Sequence, residues 1–471
     1  MKDIILKNGI VVTPDSLIKG GVAIKEGRIV AIGEDGSLGQ AQEVIDVEEK
    51  IIFPGIFDPH FHLGNGDEVG YDAMREDFYL ESKEMAVSGV TLFATTTLYG
   101  KGSLVEGFNK TVTCGVDNCF VDYKVTCCVS VEEQIAQMAE VARQGCVDFK
   151  FFIGYKGSQA ESLAMSAEGI TLGTWYRACE EMARIGRPVF PKIHAEDPWV
   201  REILLDRIRK ADRKDYLVAW AEHSPGYGEN LQIYNAAVIA DQFHVPLYVV
   251  HVSAKESIGL IRYLRSEGMK IIAETTPAFL CGDARELEAA SLKGRAKIQP
   301  PIRFKEDNDA LWGAVERGEI TVIGTDSLPY TSRYKDSAGF WELRVGLNCQ
   351  VPATIPLMMT EGVNKGKIDL VTMAKILSTN AAQLYGIYPQ KGAIQVGSDA
   401  DIVVIDPEKS GRLGADKLRG KSDFSIWEGR PVRGFPVMTF VRGQMVARDG
   451  EIVAERPQGR HVVGLTPHET L

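Results

Sequence analysis

Five things are scarce or missing in this chain of 471 residues. The N-terminus, Met1-Lys2-Asp3-Ile4-Ile5-Leu6-Lys7, has no long apolar stretch and is charged by its second residue. A secretory signal or membrane anchor needs the opposite pattern, so a cytoplasmic protein is expected. The eight cysteines include the neighbours Cys127 and Cys128 but no C-x-x-C pair, which argues against a zinc ribbon and offers no disulfide framework. Reduced thiols within a core are expected instead. Excess positive charge is absent, with 53 Lys and Arg against 64 Asp and Glu for a net charge of -11. Nucleic acid and anionic membranes, which bind clustered cations, are thereby disfavoured as partners. Internal repeats and low-complexity tracts are also missing. Histidine is sparse at eight copies, which makes the placement of each one informative.

What is present is enough for one large folded unit with an accessory layer, since 45% of the residues are hydrophobic. Up to residue 53, short alternating runs such as Gly21-Val22-Ala23-Ile24 and Arg28-Ile29-Val30-Ala31-Ile32, separated by glycine turns, read as antiparallel strands. From 54 to 389, apolar strand candidates alternate with helical stretches, for example Glu132 to Gln144 and Thr174 to Ile185. That alternation is the pattern of a parallel α/β barrel. Strand signals return from 390 to 455, in Ala400 to Ile405 and Val437 to Val441. The two ends are expected to meet in a small β-sandwich beside a (β/α)8 barrel, with residues 456–471 as a C-terminal tail suited to pack on a neighbouring subunit.

The most informative segment is Phe57-Asp58-Pro59-His60-Phe61-His62. In an extended strand alternate side chains share a face, so His60 and His62 can grip one metal ion. His194 follows Pro188 to Ile193 and precedes Ala195-Glu196-Asp197, and His251 follows Val245 to Val250. Each closes a short apolar run, where a barrel enzyme keeps its chemistry. Asp326 closes Thr321-Val322-Ile323-Gly324-Thr325, and Lys150 follows Val147-Asp148-Phe149. An Asp there is often a turn former, and a lysine among aromatics is often a snorkelling side chain. As a free amine of reference pKa about 10.4, Lys150 is protonated and cannot bind metal.

Together these residues resemble the amidohydrolase superfamily, and within it the hydantoinase and dihydropyrimidinase group of cyclic amidohydrolases. The resemblance extends from Lys7-Asn8-Gly9 to Gly397-Ser398-Asp399-Ala400-Asp401. It implies that His60, His62, Lys150, His194, His251 and Asp326 hold two divalent metals, with Lys150 carboxylated by CO2 to an anionic bridging carbamate. His60, His62 and Asp326 would hold one metal with the carbamate, and His194 and His251 the other. Zinc is the default for such nitrogen and oxygen donors. The implied activity is opening of a cyclic amide or imide by a metal-bridging hydroxide, with Asp326 as general base and then general acid. A homo-oligomer, dimer or tetramer, is likewise implied.

Tyr155, in Ile153-Gly154-Tyr155-Lys156, is similar to a family tyrosine that donates to the developing oxyanion. Asp58, Glu196 and Asp197 are candidates for orienting the ligand histidines, with turn or helix-start roles equally open. His223, His244, His461 and His468 fit no ligand position and are read as surface or loop residues. The pocket departs from the family pattern. Gly64 stands where dihydroorotases carry an arginine, Ser327 follows the strand-eight Asp, Gln299 precedes Pro300-Pro301, and Ser337 lies in a loop that usually supplies an asparagine. Tyr155, Gln299 and Ser337 are the substrate-binding candidates. Allantoinase-like or other amide hydrolysis is the main alternative. A metal-free scaffold such as a collapsin response mediator protein lacks ligands that this chain retains.

Overall fold

A computed structural model describes residues 1–347 and 349–464. The expected tail residues 465–471, with His468, lie outside the described residues. Eight parallel strands follow one another in chain order around a barrel. They are Ile56–Phe61, Val90–Thr96, Asp122–Cys128, Asp148–Phe152, Phe190–His194, Leu247–Val249, Ile271–Thr275 and Val322–Ile323. Most carry β-branched and aromatic residues and are buried along their whole length, as strands covered on both faces must be. The first and eighth strands meet where His62 N donates to Ser327 O at 3.0 Å and Asp326 N donates to His60 O at 2.9 Å. That contact closes the barrel at the end that carries His60, His62 and Asp326.

Helices cover the outside and begin on local signals. Thr171 caps Leu172–Ile185 by accepting from Thr174 N, and the helix stops at Gly186, whose φ of 83° favours glycine. Asp197 caps Pro198–Lys210 with its carboxylate on Val200 N at 2.8 Å and proline in the first turn. The stretch expected as one helix from Glu132 is a 3-10 turn, Glu132–Gln137, followed by the short helix Met138–Arg143.

Both termini build a separate nine-stranded sheet. Its first strand, Lys2–Val12, pairs antiparallel with Leu17–Lys25 along one edge. On the other edge it pairs parallel, first with Ala41–Asp46 and then with Ile51–Pro54. The N-terminal runs, expected as antiparallel strands, therefore form a mixed unit. The change of partner coincides with a register slip between Leu6 and Gly9, where Asn8 adopts φ 59°. The sheet contributes to an apolar cluster that includes Leu6, Val22, Ile402 and Phe440.

The described part of the tail runs against its own barrel, not away from it. Tyr123 N donates to Arg460 O and Val462 N to Tyr123 O, while Lys124 Nζ, inside the barrel, donates to Val462 O. No helix among the described residues is long and apolar enough to cross a membrane. All eight cysteines are free thiols and buried.

Candidate metal centre and its cavity

The upper ends of the strands surround a cavity of about 460 Å³. His62, Lys150, His194, His251 and Asp326 all line it. His60 Nε2 lies 3.1 Å from His62 Nε2 and 3.1 Å from Asp326 Oδ1, which is 2.9 Å from His62 Nε2. Lys150 Nζ is 3.2 Å from His60 Nε2. On the adjacent wall His194 Nδ1 is 2.9 Å from His251 Nε2, and the His251 ring stacks on His60 with centroids 5.5 Å apart. The structure thus brings His60, His62, Lys150, His194, His251 and Asp326 to one place. Lys150 sits in the middle of its strand, not at the end, so its long stem carries the nitrogen up to the others.

The far side of two of the rings fixes which nitrogen keeps a lone pair. His60 Nδ1 faces Glu274 Oε1 at 2.7 Å, and His194 Nε2 faces Glu196 Oε2 at 2.6 Å. A carboxylate can only accept, so those nitrogens carry the protons. The lone pairs of His60 Nε2 and His194 Nδ1 then point inward, the first toward Asp326, His62 and Lys150 and the second toward His251. Burial drives the pKa of all four imidazoles down, most strongly at His60 and His251, and keeps them neutral. Neutral lone pairs at such separations repel one another unless a cation lies between them, so this donor set fits metal ions. His60, His62 and Asp326 form a group able to hold one. Burial also lowers Lys150 to a pKa of about 8, against the pull of Asp326 and Glu274.

Backbone strain marks the same place. His251 and Asp326 both adopt positive φ, 41° and 51°, in the left-handed region that side chains rarely occupy. Asp58 accepts from His60 N and Thr325 N, each at 3.1 Å, and from Thr325 Oγ1 at 2.6 Å, tying the first strand to the eighth. Its burial raises its pKa to about 7. Glu196 touches His194 directly, whereas Asp197 caps its helix and accepts from Gln232.

Tyr155 lines the cavity with its ring centroid 4.8 Å from that of His194, and burial raises its pKa, so the hydroxyl stays a donor. Gln299 lines the cavity as well. Ser337 does not: it is exposed, and its hydroxyl donates to Tyr334 O at 2.7 Å.

Sequence reasoning passed over Glu274, although it sits near the end of the seventh strand as Asp326 follows the eighth. It also passed over Tyr99, whose hydroxyl is 2.8 Å from His62 Nδ1. His223 was read as a surface residue. It is instead fully buried at the end of the helix Tyr216–His223 and lines the cavity. His461 also differs, packing between Phe108 and Tyr123.

The Amidohydrolase family profile matches residues 51–446. The chain belongs to the amidohydrolase family. Membership implies a divalent metal centre, in agreement with the converging lone pairs. The chain is 29% identical over 465 residues to the L-hydantoinase of Paenarthrobacter aurescens, covering 98% of both proteins. It is 29% identical to the D-hydantoinase of Ralstonia pickettii, covering 97% of this chain and 98% of that one. Among solved structures, the dihydropyrimidinase of Brevibacillus agri NCHU1002 superposes with a TM-score of 0.88 at 29% identity, covering 99% of each chain.

Proposed function

We infer that this amidohydrolase is a metal-dependent hydrolase of cyclic amides, of the hydantoinase and dihydropyrimidinase kind. The convergence of inward-facing imidazole lone pairs with Asp326 and Lys150 carries the reading. His60, His62 and Asp326 would hold one divalent ion and His194 and His251 a second, with Lys150 as an N6-carboxylysine between them. Zinc suits these donors. Carboxylation joins the neutral lysine amine to CO2 and releases one proton, so that, counted from the ammonium, two protons leave and an anion replaces a cation. Its support is the position of Lys150 Nζ against a neutral imidazole, with no ion pair among the described residues. When bound, such ions act as Lewis acids that polarise the scissile carbonyl and lower the pKa of water.

The side chains do the rest. The Asp326 carboxylate takes a proton from the attacking water and returns it to the ring nitrogen as the C–N bond breaks. The Tyr155 hydroxyl donates to the carbonyl oxygen as negative charge builds there, an interaction worth about 10² to 10³ in rate. Glu274 and Glu196 hold the imidazoles in register. Phe152, Tyr155 and Trp341 on the cavity wall give the ring an apolar bed. A homo-oligomeric, cytoplasmic enzyme is proposed alongside. Tyr227, Leu231 and Tyr234, exposed at helical spacing on Gly226–Gln242, support an assembly through that face.

The test is ring opening of hydantoin and dihydrouracil by protein of measured metal content, with Lys150→Ala beside it. The variant is expected to lose bound metal and turnover together. Full turnover by Lys150→Ala would remove the carbamate from the account.

A further inference from the structure

Residues 341–346 all line the cavity that holds the metal centre, yet they form neither helix nor strand. Irregular backbone has no ladder to take its carbonyls, and a buried carbonyl needs a donor. Two lysines supply the donors here. Lys297 Nζ donates to Phe340 O and Leu343 O, each at 2.7 Å, and reaches Trp341 O at 3.5 Å. Lys335 Nζ donates to Gly346 O at 2.7 Å, to Arg344 O at 3.3 Å and to Lys297 O at 3.1 Å, which ties the two lysines to each other.

The two side chains are only 2% and 1% exposed. A lysine buried so deeply is ordinarily paired with a carboxylate, whereas these face carbonyls and aromatic rings. Lys297 Nζ lies 4.5 Å from the Trp220 ring centroid and 5.0 Å from that of Phe340, and Lys335 Nζ lies 5.0 Å from that of Tyr330. Burial pulls both amines below the usual lysine range, Lys297 to about 7, but even a neutral amine keeps two N–H groups to donate.

The segment is anchored at its end as well. Gly346 N donates to Lys297 O at 3.1 Å, and Leu347 O accepts from Leu328 N at 3.0 Å, two residues past Asp326. The charged members of the segment are turned to other work: Arg344 donates to Gly66 O and to the Tyr334 hydroxyl, each at 2.7 Å, and Glu342 is exposed. Trp341, Leu343 and Val345 are its apolar members. The Trp341 ring packs on Phe340, with centroids 5.1 Å apart, and stays half-buried, whereas Phe340 is buried.

We propose that Lys297 and Lys335 are positioning residues for substrate selection: pinned by their amines, residues 341–346 form a fixed apolar wall that favours a substrate ring carrying a bulky apolar arm. The inference rests on the ring-opening reading and refines it.

Hydantoin and 5-benzylhydantoin test it with the metal-loaded enzyme. The unaltered enzyme is expected to open the benzyl compound with a kcat/KM about 10- to 100-fold above that of hydantoin, the range a fitted apolar arm supplies. Lys297→Met and Lys335→Met remove the donors but keep an unbranched side chain. Each is expected to bring that ratio toward one through a higher KM for the benzyl compound, with metal content unchanged. Trp341→Ala, which leaves both pins in place, is expected to lower the ratio as well. A purely structural loss lowers both rates alike, so a ratio that survives any of these substitutions overturns the proposal, as does a ratio near one in the unaltered enzyme. Should the methionine variants not fold, Lys297→Gln and Lys335→Gln, which keep an amide donor, take their place with the same readout. If neither compound is opened, the ring-opening reading fails separately. Calorimetry with 5-benzylhydantoin then decides, with about tenfold weaker binding by the lysine variants supporting the proposal and equal binding overturning it.

Discussion

At His60 and His194 the direction of the imidazole proton is set by a carboxylate on the side away from the cavity, and that is where single side chains govern this site. Glu274 does the most, reaching His60 Nδ1, the Tyr248 hydroxyl at 2.8 Å and His251 N at 3.1 Å. Glu274→Gln replaces an obligatory acceptor by a group that can also donate, so His60 no longer has a dictated tautomer. The variant is expected to bind divalent metal about 10- to 100-fold more weakly while staying folded, checked by equilibrium dialysis and circular dichroism. His60, His194 and His251 were legible in the sequence as rare residues at the ends of apolar runs. Glu274 was not, because one carboxylate among 64 acidic residues carries no such contrast. His223, Arg201 and Tyr99 come from helices and a loop, and only the folded chain shows which way they face.

Strand ends and the segments packed on them are the next level of organisation. Gly324, between the eighth strand and Asp326, has no room for a methyl group: a Cβ there would lie 2.8 Å from Glu274 Cδ and 3.0 Å from His60 Cβ. Gly324→Ala is expected to displace both, costing about 1–3 kcal/mol in stability by denaturant unfolding and weakening metal binding in parallel. The alternation of strands and helices made the barrel legible. The parallel pairing of the first strand was not, since alternation along a strand does not reveal the direction of its neighbour. The tail on the third strand was missed for a related reason, because its short polar sequence has no strand signature. It brings His461 into the core beside Lys124, where burial lowers its pKa to about 4. The folded value lies below the unfolded value of about 6.5, so the unfolded chain takes up the proton first. This residue's contribution to stability is whole above about pH 6.5 and is lost as pH falls toward 4. His461→Phe is expected to flatten the stability profile across that window by about 1.4 kcal/mol per pH unit, with little change in slope above it, as read from urea unfolding at a series of pH values.

Across the whole molecule the barrel and the terminal sheet are joined by a buried charge cluster. Lys391 Nζ contacts Asp122 at 2.7 Å, Asp401 at 2.6 Å and Asp399 at 3.1 Å, and Arg442 pairs with Asp122 from the sheet side. Asp122 begins the third barrel strand and Asp401 precedes the sheet strand Ile402–Arg412. The three carboxylates hold the lysine protonated, well above its usual range, despite its burial. Lys391→Met leaves those carboxylates short of a cation and is expected to destabilise the fold by about 3–5 kcal/mol, measured by chemical denaturation, without altering the metal donors.

The central claim is that two divalent ions sit among His60, His62, His194, His251 and Asp326, bridged by a carboxylated Lys150. Anomalous diffraction from crystals of the zinc-loaded enzyme, collected on both sides of the absorption edge, tests it most directly. The account predicts two metal peaks between these side chains and density for a carboxylate on Lys150 Nζ. An absence of metal peaks there, or a bare ammonium at Lys150 beside bound zinc, would contradict it.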